Sequence, residues 1–87
     1  MKTIPMYVLV DETSGWFIDA YSWLLHEYIS REFIYDSKKY PLKRLMSWKN
    51  GTIPLHEFAI ESNGTGEMYK ALKPVLKQVN LRVTDVK

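Results

Sequence analysis

Hydrophobic and polar residues recur along this 87-residue chain with two different periods, which predict strands in some segments and helices in others. Residues 4–10 form a short apolar run that ends at Asp11, as in a buried strand. Pro5 belongs at the start of such a strand or on a sheet edge, because proline has no amide hydrogen to donate.

The longest periodic pattern lies in residues 14–30, where it predicts an amphipathic helix. Asp11 or Thr13 would cap its first turn. Leu24 falls in the middle of the apolar stripe, so we expect its side chain in the core. The stripe consists of Phe17, Ala20, Tyr21, Leu24, Leu25 and Tyr28, with Trp16, Trp23 and Ile29 on its flanks.

The segments that follow are shorter. Residues 32–35 predict a second strand, and residues 36–39 predict a turn. Residues 40–48 fit either a strand or a short helix. The helix is favoured because Pro41 suits a first helical turn and the next apolar residues follow the helical period.

The last third of the chain predicts one more helix between two strands. The Asn-Gly pair at residues 50–51 indicates a tight turn, since both residues tolerate positive φ. Residues 53–60 alternate as in a half-buried strand. Residues 66–79 predict a helix that Pro74 would kink or divide, and residues 81–84 predict a final strand.

These elements predict a single α+β domain over residues 1–87, a size typical of one domain. The expected architecture is a small antiparallel sheet with two helices on one face. Its β-α-β-β-α-β order is that of ferredoxin-like folds, with an insertion at about residues 36–52. Folds of this class host unrelated functions, so function has to be inferred from particular residues.

The composition excludes several classes of protein. The chain contains no cysteine, which excludes disulfides, thiolate metal sites and cysteine nucleophiles. No apolar run approaches the length of a membrane span, and residues 1–5 do not resemble a secretion signal, so we expect a cytoplasmic protein without a membrane partner.

The spacing of the polar residues fits no catalytic or metal-binding motif. On the predicted helix, Asp19 and His26 lie two turns apart, about 10 Å along the axis, so Asp19 cannot orient His26 beside Ser22 as in a hydrolytic triad. His26 and His56 lack the spacing of a metal motif. We therefore expect no catalytic residue, no metal and no cofactor, and a protein that is not an enzyme.

Positive charge is concentrated in one short segment. The net charge is only +2, but residues 37–50 contain five basic residues and no acidic one, whereas residues 1–36 are mainly acidic. Aromatic residues stand among the cations of this segment. The predicted partner-binding residues are Lys38, Lys39, Tyr40, Lys43, Arg44, Trp48 and Lys49.

This basic-aromatic segment has three interpretations. Arginine and tryptophan commonly anchor protein interfaces, lysines with aromatic rings also bind nucleic acids, and the segment can simply be a solvated surface. We favour a small binding protein, an inhibitor or adaptor of the kind that phages and mobile elements encode, which occupies a surface of a protein partner. A nucleic-acid-binding domain that uses residues 38–49 is the alternative, and homo-oligomers stay open.

Overall fold

The computed structural model describes residues 2–53 and 72–83, with the side chain of Val83 excepted. Four strands form one antiparallel sheet in the order β3-β2-β1-β4, and one helix is present among these residues. The α+β class and the antiparallel sheet are confirmed. The elements are β1 (Lys2–Asp11), β2 (Phe17–Ile18), β3 (Leu25–His26), α1 (Lys39–Lys49) and β4 (Pro74–Val83).

The main ladder of the sheet joins β1 to β4. Ten consecutive pairs run from Lys2 opposite Val83 to Asp11 opposite Pro74, which confirms the strand predicted at residues 4–10. The Tyr7 amide donates to the Tyr35 carbonyl on the side away from β4. Pro5 lies two residues before Tyr7, so its backbone nitrogen also faces away from β4. Proline at this position therefore removes no hydrogen bond from the β1–β4 ladder.

Hydrophobic clusters cover both faces of this sheet. On one face, Leu9 and Ile18 are buried together with Leu45 of α1. On the other face, Val8 and Val10 pack with Phe33 and Ile34. Alternate residues of β1 therefore contribute to two different cores, as the pleat of a strand requires.

The helix predicted at residues 14–30 is wrong, because this segment forms β2, β3 and the turns around them. Asp19 Oδ1 accepts hydrogen bonds from the amides of Tyr21 and Ser22 at 2.8 and 3.3 Å. Trp23 has a φ of 66°, which no α-helix permits. Short polar side chains that bond to nearby amides compete with helix formation, and here they define a turn.

This correction reverses the expected burial of neighbouring side chains. Trp23 is fully buried, whereas Leu24 is 41% exposed and Tyr21 is 75% exposed. The apolar stripe that predicted a helix is thus divided between core and surface. Apolar residues at helical spacing in this segment do not lie on one face of a helix, because the segment forms no helix.

The second predicted helix is also corrected where the structure describes it. Residues 74–79 lie in β4, and Pro74 begins the strand instead of kinking a helix. The strand predicted at 81–84 is confirmed for residues 81–83 but begins seven residues earlier. Residues 54–60 of a predicted strand and 66–71 of the predicted helix lie outside the described residues. Two helices on one face and ferredoxin-like order are therefore not confirmed.

The supposed insertion at residues 36–52 contains α1, which confirms the helical interpretation of residues 40–48. The helix ends in a Schellman motif at the predicted Asn-Gly turn. Gly51 has a φ of 69° and its amide donates to the Trp48 carbonyl, while the Thr52 amide donates to the Ser47 carbonyl. Residues 32–35 make only a single bridge with β1, between Tyr7 and Tyr35.

A buried carboxylate joins β1 to the segment before β4 at one end of the main ladder. Asp11 Oδ2 accepts hydrogen bonds from the Ser14 hydroxyl at 2.7 Å and the Ser14 amide at 3.2 Å, and Oδ1 accepts one from the Lys73 amide at 2.9 Å. Burial alone would raise the pKa of Asp11, but these hydrogen bonds, led by that from Lys73, lower the pKa below its ordinary value. The ionised form of Asp11 therefore stabilises the junction between β1 and β4.

The reversed burial of residues 23 and 24 gives a direct test of the fold. Trp23→Ala should lower the free energy of unfolding by about 3–5 kcal/mol, because it removes a fully buried ring. Leu24→Ala should cost less than about 1 kcal/mol, as expected for a surface position. Urea denaturation of both variants measures the difference. A larger loss for Leu24→Ala would restore the helical interpretation of residues 14–30.

The low pKa of Asp11 predicts a pH-dependent loss of stability. Its folded pKa lies below the unfolded value of 3.8, so its contribution is present above about pH 4 and is lost as the pH falls through the folded pKa. Asp11→Asn should cost about 1–3 kcal/mol at neutral pH, and the difference from the native chain should shrink as the pH falls through the folded pKa of Asp11. The exposed Asp36→Asn change is the control, and equal effects of both substitutions at every pH would contradict this role of Asp11.

Candidate partner-binding surface

The predicted binding residues all lie in or beside α1, but the helix divides them between two sides. Lys39, Lys43 and Lys49 are exposed, whereas Arg44 and Trp48 are partly buried. Because a helix turns 100° per residue, positions 41, 45 and 48 face the sheet and positions 39, 43 and 46 face away from it. Pro41 and Leu45 are buried, in agreement with this orientation.

Arg44 is engaged inside the protein. Its Nε donates to the Ala20 carbonyl at 2.6 Å, and Nη2 donates to the Tyr21 carbonyl at 3.0 Å. The guanidinium carbon lies 5.4 Å from the centroid of the Trp23 ring, in cation–π geometry. Arg44 thus connects α1 to the turn before β3, and its contact with a partner stays a prediction.

The aromatic residues of the predicted patch also serve the fold. Trp48 packs against the core cluster that contains Leu9 and Leu45. Tyr40 lies against Tyr35, with 5.2 Å between ring centroids. Burial, with smaller contributions from nearby charges, raises the pKa of Tyr35 to about 12, so its phenol is neutral at physiological pH. Tyr40 is 37% exposed, so part of its side chain lies on the surface.

The lysines make α1 uniformly basic. Lys38 precedes the helix, and its Nζ lies 5.6 Å from the centroid of the Tyr7 ring. The first helical turn contains Lys39 and no acidic residue. The Lys39 amide donates a hydrogen bond to the Ser37 hydroxyl at 3.0 Å. Lys38 and Lys39 lie at the N-terminus of the helix, where the positive end of the helix dipole repels a cation. Lys49 lies at the C-terminus, where the dipole attracts one.

Exposed apolar residues lie between these lysines, and the sequence analysis did not include them in the site. Leu42 is 43% exposed and Met46 is 47% exposed. Their spacing places them beside the lysines on the outward side of the helix. This exposed α1 face comprises Lys39, Leu42, Lys43, Met46 and Lys49. Helix geometry could have identified it, because Leu42 and Met46 lie about 100–160° around the helix from Pro41 and Trp48.

The turn held by Arg44 extends the surface. Tyr21 is largely exposed, and its carbonyl is bonded to Arg44, so its residue lies next to the helix. This turn could have been predicted from Asp19 and Ser22, because aspartate and serine commonly form turns. The prediction of a helix at residues 14–30 instead placed Tyr21 in the apolar stripe that faces the core.

Asp19, Ser22 and His26, the residue types of a hydrolytic triad, make local contacts in the structure. Asp19 accepts amide hydrogen bonds within its turn, and Ser22 Oγ accepts one from the Leu24 amide at 3.3 Å. The His26 ring stacks on Phe33 with centroids 4.6 Å apart. Within residues 2–53 and 72–83, no cluster of three metal-ligating side chains occurs.

No helix in the described part of the chain is long and apolar enough to cross a membrane. The chain matches no protein-family model, and no curated protein or solved structure is significantly similar to it.

The role of Arg44 can be tested with a substitution that keeps its charge. Arg44→Lys should lower the free energy of unfolding by about 1 kcal/mol or more, because an ammonium group cannot reproduce the two fixed hydrogen bonds of the guanidinium. Lys43→Gln, on the exposed side of the same helix, should change stability by less than about 0.5 kcal/mol. Thermal or urea unfolding measures both, and an unchanged stability of Arg44→Lys would contradict the role of Arg44 in the fold.

Proposed function

We propose that this protein is a non-enzymatic binding module that occupies an acidic surface of a protein partner through the exposed α1 face. The observation that carries the proposal is the combination on one side of a helix of three lysines with Leu42 and Met46. Such a protein acts by occlusion or recruitment, as an inhibitor or an adaptor does.

The support behind the helix favours binding as a rigid body. Arg44 bonds to two carbonyls, and Trp48 and Leu45 pack into the core on the opposite side of α1. A surface whose backbone is already held in place loses little conformational entropy on association.

The apolar residues favour a protein partner. Burial of Leu42 and Met46 on binding would remove apolar area from water, and methionine adapts to irregular pockets. A phosphate backbone offers no comparable apolar surface. Lysines around an apolar centre resemble the arrangement of protein interfaces, in which a hydrophobic core is surrounded by a polar rim.

The charges favour an acidic partner. The exposed α1 face contains no acidic residue, and Lys38 and Lys39 are near the positive end of the helix dipole. Carboxylates of a partner would interact favourably with both. Complementary charge of this kind mainly increases the association rate and excludes partners of the wrong sign.

Nucleic acid is the alternative partner, and the acid-free set of lysines is the observation that favours it. If Lys38, Lys39, Lys43 and Lys49 each contacted a phosphate, the log–log dependence of binding on salt would have a slope of about −2.8 to −3.6. Base stacking has less support, because Trp48 packs against the core and Tyr40 against Tyr35.

Two pairs of substitutions distinguish the partners, once a binding partner has been purified from lysate prepared with and without nuclease treatment. Leu42→Ser with Met46→Ser should weaken a protein complex by about tenfold or more, since truncated interface anchors commonly cost more than about 1 kcal/mol. Lys39→Gln with Lys43→Gln should mainly slow association and reduce its salt dependence. Calorimetry and surface plasmon resonance measure these effects.

The control is the pair Lys2→Gln and Ile4→Ser at the far end of β1, where Ile4 is as exposed as Leu42; it should leave binding unchanged. If binding is insensitive to Leu42→Ser with Met46→Ser, while the lysine pair lowers the salt slope by about 0.7–0.9 per residue, the partner is nucleic acid. If neither pair has an effect, the exposed α1 face is not the binding site.

A further inference from the structure

Among the residues that the structure describes, the outer edge of β4 presents a row of backbone hydrogen-bonding groups without a partner strand. Tyr7 directs its amide and carbonyl toward Tyr35, so the residues of β1 that bond to β4 are the alternate ones, such as Val8. Val8 pairs with Lys77, and the residues on either side of Lys77 therefore point their backbone groups outward. The outward-pointing residues with both an amide and a carbonyl are Leu76, Gln78, Asn80 and Arg82.

This edge is long and regular. The ten pairs of the β1–β4 ladder are consecutive, without a bulge, and the stretch from Leu76 to Arg82 is about 20 Å long. Within residues 2–53 and 72–83, no backbone hydrogen bond reaches it from another element. Two of the outward-pointing residues are exposed, and their side chains bond to each other: Gln78 Nε2 donates to Asn80 Oδ1 at 3.1 Å.

Charge selects the kind of strand that can pair here. Residues 72–83 include Lys73, Lys77 and Arg82, all exposed, and no acidic residue. Cations on an edge strand oppose pairing with a second copy of the same strand, because like charges come together across the new ladder. The same cations favour an incoming strand that is acidic.

We propose that β4 binds an extended acidic segment of a partner protein, which adds to the sheet as a fifth strand. Backbone hydrogen bonds to Leu76, Gln78, Asn80 and Arg82 would supply affinity, as in other cases of strand addition. Carboxylates of the segment would meet Lys77 on one face of the sheet and Arg82 on the other. This site is separate from the exposed α1 face and does not depend on the function proposed for it.

Amide hydrogen exchange, measured by NMR on the intact chain, tests the proposal with a defined probe. The probe is the blocked peptide acetyl-Glu-Val-Thr-Val-Thr-Glu-amide, whose two glutamates are five residues apart and so lie on opposite faces of a strand, as Lys77 and Arg82 do. The control peptide has lysine in place of each glutamate. In the free protein, the amides of residues 76, 78, 80 and 82 should exchange faster than those of residues 75, 77, 79 and 81. The acidic peptide at millimolar concentration should slow the first set by about tenfold or more, and the basic peptide should not.

A proline substitution separates the edge from the fold. Gln78→Pro removes an outward-pointing amide but no hydrogen bond of the β1–β4 ladder, so the chain should fold. It should weaken peptide binding about tenfold or more, as expected for a lost hydrogen bond and a blocked approach. Gln78→Ala keeps the amide and should bind within about twofold of the native chain. Circular dichroism and thermal melting verify that each variant is folded.

Charge reversal tests the specificity. Lys77→Glu with Arg82→Glu should exchange the preference, so that the basic peptide protects the edge amides and the acidic one does not. The proposal is overturned if neither peptide protects these amides, if both protect them equally, or if Gln78→Pro binds as well as Gln78→Ala. Protection that rises with protein concentration without peptide, together with a dimer in sedimentation, would show that a second copy occupies the edge instead.

Discussion

The guanidinium of Arg44 holds the carbonyls of Ala20 and Tyr21, and the placement of α1 on the sheet depends on this contact. Its position over the buried Trp23 ring joins the helix to the same turn that Asp19 stabilises from the other side. With Arg44 directed inward, Leu45 and Trp48 reach the core. The remaining side of the helix has to face solvent, and there the lysines stand beside Leu42 and Met46.

The β1–β4 ladder provides the frame on which this arrangement rests. It joins segments from opposite ends of the chain, and Asp11 connects them through the Lys73 amide, 62 residues away in sequence. Since β1 is central and β4 lies at the edge of the four described strands, one edge of β4 pairs with β1 and the other has no partner among these strands. Lys77 and Arg82 are exposed on the two faces of β4. The helix and the sheet edge thus both present positive charge, which favours acidic partners at either surface.

Elements with strong local signals could be predicted from the sequence. A run of β-formers ending in Asp11 predicts β1, Pro41 followed by apolar residues at helical spacing predicts α1, and the Asn-Gly pair predicts the turn that ends it. For α1 and its final turn the decisive interactions lie within one element, as in the Schellman motif at Gly51. For β1 the signal is its own apolar run, although its hydrogen bonds are made with neighbouring strands. The basic character of residues 38–49 is likewise a property of the sequence alone.

Residues 14–30 and β4 show what the tertiary structure decided. Apolar residues at helical spacing do not form a helix when Asp19 and Ser22 bond to nearby amides and Trp23 adopts a positive φ to reach the core. The strand β4 depends on its partner β1, which no local pattern reveals. Arg44 and Trp48 became part of the fold because their partners, two carbonyls of the preceding turn and the core beneath α1, come together only when the chain has folded.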